Sequence, residues 1–124
     1  MVILDTNMIL RYLLNDNPEM AEYAQNAIQK GNTKVTIEVI AEVVYVLSGV
    51  YSVERPDIRN ALSAFLEEVE ATEKQVILCA LDVYAGHKLD FVDCVLYAYH
   101  HIHACDILTF DKKLNRLLNT EESR

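Results

Sequence analysis

Short apolar runs alternating with helix-patterned stretches predict an α/β domain built on a parallel sheet. Three observations carry that expectation. Residues 1–4, 34–36, 75–78 and 106–109 are brief apolar or β-branched runs, as parallel strands covered on both faces tend to be. The stretches between them place apolar residues three and four apart, the helical period. Gly, Pro and Asn punctuate the joins, at Asn17-Pro18, Gly31, Gly49 and Pro56. At 124 residues and 52% hydrophobic, the chain fits one domain with a real core. No internal repeat, low-complexity tract or interdomain linker is visible.

Each element has a local reason. Residues 1–4 read as a first strand, and Asp5-Thr6-Asn7 offers cap chemistry to a helix carrying Met8, Ile9, Tyr12 and Leu13. Asn17 at a cap and Pro18 behind it start a second helix, which runs to about Lys30 and stops at Gly31. After a strand at 34–36, residues 37–48 form a strongly apolar helix ended by Gly49. A fourth helix begins at Ser52 or Arg55 and buries Ile58, Leu62, Phe65, Leu66 and Val69 on one face. A third strand is expected at 75–78 and a helix at 80–89. Asp90 then caps a helix over 91–103, a fourth strand follows at 106–109, and a last helix spans 111–118.

Four carboxylates interrupt these apolar runs. Asp5 ends the first strand, Glu42 interrupts the 37–48 helix, Asp93 breaks Phe91-Val92…Cys94-Val95, and Asp111 closes Ile107-Leu108-Thr109-Phe110. An unpartnered buried carboxylate costs several kcal/mol, roughly, so four intrusions ask for one explanation. Clustered oxygen ligands suit a hard divalent cation, Mg²⁺ or Mn²⁺. Ligands of such sheets bind beyond the carboxyl ends of the strands. Asp5 and Asp111 directly follow strands, and Thr36 brings the start of the Glu42 helix to the same edge.

With these residues in view, the chain resembles PIN-domain proteins, and specifically the VapC type of toxin ribonuclease from toxin–antitoxin pairs. Leu4-Asp5-Thr6-Asn7 is similar to the family's apolar strand followed by DTN or DTS. Glu42 lies on an apolar helix with Glu38 one turn earlier. Asp90-Phe91-Val92-Asp93-Cys94 resembles DFxDA with Cys94 in place of Ala, and Thr109-Phe110-Asp111-Lys112-Lys113-Leu114 resembles TFDxxL. The resemblance covers nearly the whole chain. It implies a three-layer α/β/α fold around a short parallel sheet of four strands, five if the family's last strand is present. It also implies metal-binding acids at Asp5, Glu42, Asp93 and Asp111, with Thr6, Asn7 and Thr109 supporting them. The implied activity is Mg²⁺- or Mn²⁺-dependent endonucleolytic cleavage of RNA, the implied regulator a small antitoxin, and the implied assembly a homodimer. Two departures stand out: residues 119–124 are polar and offer no fifth strand, and Cys94 is bulkier than Ala.

Simpler roles compete for several of these residues. Asp5 and Asp111 sit where helix caps belong, and capping is compatible with metal binding. Asp90 is expected to cap its helix, and Glu38 shares a face with Glu42. His100, His101 and His103 splay over different faces of one helix, and the tyrosines read as packing residues. Arg11, Lys112, Lys113 and Arg116 lie near the acid motifs and are candidates for phosphate contact or for solvated helix surface. A phosphatase with a DxDxT pattern is disfavoured by Asn7 at the second Asp position. A non-catalytic PIN-like module that binds RNA or protein is the competing class.

The bulk charge narrows the partners. With 11 basic and 19 acidic residues the net charge is −8, which argues against broad charge-driven nucleic-acid binding and suits a basic protein partner. Cys79, Cys94 and Cys105 form no CxxC pair, so free thiols in a reducing compartment are expected. The first residues lack a basic leader, and Asp5, Arg11, Asn15 and Asp16 break any long apolar stretch. A cytoplasmic protein without a membrane span is therefore expected.

Overall fold

Caps and turns fix most of the element boundaries. In the computed structural model, which describes residues 1–122, the chain runs β1 (Val2–Ile3), α1 (Thr6–Leu14), α2 (Pro18–Gln29), β2 (Thr33–Val35), α3 (Ile37–Gly49), α4 (Arg55–Phe65), β3 (Glu70–Ala71), α5 (Lys74–Gly86), α6 (Phe91–His103) and α7 (Lys112–Glu122). Asp5 accepts from the Met8 amide, Asn17 from that of Met20 and Thr36 from that of Val39, at 2.9, 3.1 and 3.3 Å. Each satisfies an amide left over in a first helical turn. Gly31, at φ +78°, makes the left-handed turn into β2.

The sheet is parallel, ordered β1-β2-β3, with Val2 opposite Thr33 and Lys34 opposite Glu70. This confirms a mixed α/β architecture, but with three strands among the described residues rather than four or five. Residues 75–78, expected as a strand, lie inside α5. Val76, Ile77, Ala80, Leu81 and Tyr84 are all buried there, and their spacing is that of a helix face. A short apolar run is ambiguous between strand and helix, and here tertiary burial decided for helix. The third strand is instead the two-residue Glu70–Ala71. The helix expected over 80–89 consequently starts at Lys74 and ends at Gly86.

The fourth strand is likewise not formed. Ala104 at φ 57° turns the chain out of α6, and residues 104–111 run without regular structure. The Thr109 hydroxyl accepts from the Asp111 amide at 3.0 Å, and its carbonyl accepts from Asn115 Nδ2 at 2.8 Å. These bonds commit the segment to the start of α7 instead of a ladder. Residues 119–122, expected as a polar tail beyond a helix ending at 118, belong to α7, while Ser123 and Arg124 lie outside the described residues.

One large core unites the sheet with α1 to α6, around Ile9, Val35, Ile40, Phe65, Ile77 and Leu81. A second, small cluster of Tyr97, Leu114 and Leu118 fastens α7 to α6. No helix among the described residues is long and apolar enough to cross a membrane.

Candidate active site

The loop into α6 and the start of α7 build the site's firmest part. Asp93 lies in the first turn of α6 and is half-buried, since its neighbours Cys94 and Val95 face the core. Burial raises the pKa of its carboxyl first, and the negative charges of Asp111 and Asp90 push it further in the same direction. Asp111 accepts from the Leu114 amide at 2.8 Å and so caps α7. Asp90 occupies the N-cap position of α6 yet makes no side-chain cap bond, contrary to its expected capping role. Three acids thus crowd one place without a compensating hydrogen bond to Asp93.

Their setting is an open cleft of about 550 Å³, lined by Asp90, Asp93 and Asp111 and by Lys88, Lys112, Lys113 and Arg116. Of the basic residues expected near the acids, Lys112, Lys113 and Arg116 are therefore beside them, with Lys88 added. Lys88 was not singled out from the sequence, although its place two residues before Asp90 was a usable signal. A cleft with acids at its centre and cations on its rim can attract a phosphodiester despite a net negative chain.

Arg55 braces the loop that carries Lys88 and Asp90. Its Nη1 donates to the carbonyls of Tyr84, His87 and Leu89 at 3.2, 2.8 and 2.7 Å, and its guanidinium lies 4.1 Å from the Tyr84 ring centroid. The Tyr84 carbonyl is among those that the end of α5 leaves unpaired, and the other two lie just beyond it in the loop. Beneath the same loop, burial pushes the Cys94 thiol up to about 12. Cys94 is thus an inert packing group, and Cys94 and Cys105 are free thiols.

Asp5 and Glu42 stand differently. Both are exposed, as is Asp111, so the expectation that charges intrude into apolar interior holds only in part, for Asp93. The runs that suggested burial are partly solvent-facing themselves, Val2, Ile3, Leu108 and Phe110 among them. Asp5 lines a separate recess of about 190 Å³ with Asn7, Met8 and Arg11. Thr6 is half-buried beside it. Glu42 and Glu38 share the exposed side of α3. Among the described residues, no hydrogen bond, ion pair or shared cleft joins Asp5 or Glu42 to Asp93. No group of three or more His, Cys, Asp or Glu side chains among them is placed to hold a metal ion.

Arg11 is occupied elsewhere. Its Nη1 binds both Asp16 oxygens at 2.8 and 2.7 Å and its Nη2 donates to the Tyr51 hydroxyl at 3.2 Å, so it clamps α1 to the α3–α4 turn. The histidines splay as expected and find separate neighbours: His100 Nδ1 donates to the Cys105 carbonyl, His101 stacks on Tyr97, and His103 pairs with Glu73.

A PIN-domain family model matches residues 2–118. The chain belongs to the PIN-domain family. No curated protein and no solved structure matches it. PIN domains are generally nucleases, and they typically use divalent metals. In this PIN domain the match spans every acid motif, from Asp5 through Asp111. The structure gathers Asp90, Asp93 and Asp111 at one cleft and leaves Asp5 and Glu42 apart from it.

Proposed function

We propose that this PIN domain is an endoribonuclease that hydrolyses RNA phosphodiester bonds and depends on Mg²⁺ or Mn²⁺. The observation that carries the reading is the pairing of Asp93 with Asp111 in a cleft rimmed by Lys88, Lys112, Lys113 and Arg116. The rim holds the phosphate backbone by charge, a contact that positions RNA without reading its sequence. The acids at the centre create the concentrated negative potential that a divalent ion would neutralise. Asp93 and Asp111 are the principal catalytic residues, Asp5 and Glu42 complete the set, and Thr6, Asn7, Thr109, Asp90 and Glu38 support it. The three-layer packing implied by the resemblance goes with this assignment.

In the same reading the chain is the toxin of a type II toxin–antitoxin pair acting in the cytoplasm. Its excess of acid, 19 acidic against 11 basic residues, suits a small antitoxin with a basic segment. A second reading draws on the separation of Asp5 and Glu42 from the Asp93 pair: a non-catalytic module that binds RNA or protein. One measurement separates the two. Purified protein incubated with total RNA and Mn²⁺ should cut it, chelation should stop the cutting, and Asp93→Asn should abolish it by at least two orders of magnitude. Intact RNA with the wild-type chain under every metal tried, alongside undiminished RNA binding, would establish the second reading.

A further inference from the structure

The acid cleft has two neighbours. A hollow of about 430 Å³ opens between the end of α3, the body of α5 and the first turn of α6, a volume within the range of small-molecule sites. Asp90 lines both this hollow and the acid cleft, so the two meet at that residue. The cleft also shares Lys88, Lys113 and Arg116 with a third hollow of about 400 Å³, which has no lining residue in common with the first. Acids at the centre therefore join a cationic hollow to an aromatic one. That asymmetry matches a nucleotide strand, in which anionic phosphates alternate with flat, apolar-faced bases.

The walls of the aromatic hollow are suited to a base. Tyr84 and Phe91 line it from the core side, both buried, with ring centroids 5.9 Å apart and an edge-to-face angle of 78°. Tyr45 and Val92 line it where it meets solvent, 78% and 60% exposed. Tyr45 stands one turn beyond Glu42 on the same exposed side of α3. An exposed ring beside a hollow offers a face on which a base stacks, and every base has such a face. The choice among bases falls to Asp90. It holds the N-cap position of α6 without a side-chain cap bond, and among the described residues its carboxylate accepts no hydrogen bond. Arg55 fixes the Leu89 carbonyl at 2.7 Å, so this acceptor is presented from a braced loop. An ionised carboxylate accepts and cannot donate. It favours a base edge with two adjacent donors, one for each oxygen. Guanine carries N1–H beside its exocyclic amino group, whereas adenine and cytosine set an acceptor nitrogen beside theirs. Uracil offers one N–H between two carbonyls. Two donors reaching Asp90 also ease its repulsion with Asp93.

We infer that the aromatic hollow is a nucleobase subsite: it takes a guanine of the RNA whose phosphodiester lies in the acid cleft, with Tyr45 as the stacking face and Asp90 as the selecting acceptor. The inference deepens the nuclease reading and rests on it for the substrate. Tyr45 is a specificity residue with no part in breaking the bond. The cationic hollow takes phosphates further along the strand, by charge and without regard to sequence.

Mononucleotides test the subsite, because they hold no internucleotide bond and so report binding apart from cleavage. Guanosine monophosphate and uridine monophosphate are titrated into the isotope-labelled chain with Mg²⁺ present, and amide shifts are followed by NMR. The guanine nucleotide should bind about fivefold tighter or more, and should move the amides of Tyr45, Ser48 and Val92. Tyr45→Ala should weaken its binding by about fivefold or more, with an unchanged circular dichroism spectrum because the ring is exposed. Asp90→Asn exchanges one acceptor oxygen for a donor and should bring the two nucleotides to within about twofold of each other. Equal affinities in the wild type would overturn the proposal, as would shifts confined to Lys88, Lys113 and Arg116. Sequencing the ends of RNA cut in Mn²⁺ tests the link to the reaction. Guanine should be enriched on one side of the break, and Tyr45→Ala should erase the enrichment. Cutting without a guanine bias defeats the proposal and leaves the nuclease reading intact. A wild type that cuts no RNA defeats the nuclease reading, and the mononucleotide affinities then decide the subsite by themselves.

Discussion

The two ends of α6 live in different surroundings. Its first turns, with Phe91, Cys94, Val95 and Ala98, are sunk in the large core shared by the sheet and α1 to α5. Its other side meets α7 through the small cluster of Tyr97, Leu114 and Leu118, and its last turn reaches the start of α5 through His103 and Glu73. Asp93 rides on the first region and Asp111 on the second. The candidate site therefore spans a joint between a deeply buried half and a lightly attached one. Local opening is cheapest where buried apolar contacts are few, so Asp111 is the acid whose position can change.

The sharpest way to break this comparison is to empty each core in turn. Phe65→Ala, in the large core, should cost about 3–5 kcal/mol and lower the midpoint of urea unfolding for the whole chain. Leu114→Ala, in the small one, should cost about 2 kcal/mol and act locally. Hydrogen exchange should accelerate across α7 while the amides of α3 keep their protection. Equal acceleration everywhere would show that the two regions unfold as one.

A smaller effect sharpens the α7 side. Asp111→Ala removes the cap on Leu114 and should cost about 1 kcal/mol of helix stability, whereas Asp111→Asn should retain most of it. Both substitutions should lower the pKa of Asp93, which a pH titration followed by carboxyl NMR would read directly. If Asp93 titrates unchanged in both, the two carboxylates do not sense each other.

The smallest effect concerns Asp93 itself. Its carboxyl is held above the ordinary value of 3.8 by burial and by Asp111 and Asp90. The folded state thus binds the proton more tightly than the unfolded chain does. The stabilisation from that proton is complete below the ordinary carboxylate pKa and is lost as pH rises through the folded value. Asp93→Asn should accordingly raise Tm by a few degrees at neutral pH, with the gain disappearing in acid. A lower Tm for the variant at pH 7 would contradict the crowding of these acids.

Local chemistry was legible in the sequence and tertiary choice was not. Asp5, Asn17-Pro18 and Thr36 announced the starts of α1, α2 and α3, because a cap acts within three residues of itself. Asp90 announced the start of α6 by position alone, as it makes no cap bond. Gln75-Val76-Ile77-Leu78 deceived because a four-residue apolar run fits a strand or one turn of a buried helix, and only the packing of α4 and α6 on α5 decides. Ile107-Leu108-Thr109-Phe110 has the composition of a strand, but pairing needs a partner edge that no local rule supplies. The four acid motifs were recognisable as a PIN signature, and the family match covers them all. Which of their acids share one cleft is a matter of chain path, which the motifs do not encode.

The guanidinium of Arg55 sets a limit on how acid can act on this protein. Arginine keeps its charge at any pH a cell meets, and three carbonyls at 2.7–3.2 Å anchor it at the end of α5. The turn bearing Lys88 and Asp90 is therefore fastened by a rivet that no proton can loosen. Protonating the nearby carboxylates would change the local voltage while the mounting stays still. A lysine in its place would keep the charge but lose the flat guanidinium that lies over the Tyr84 ring.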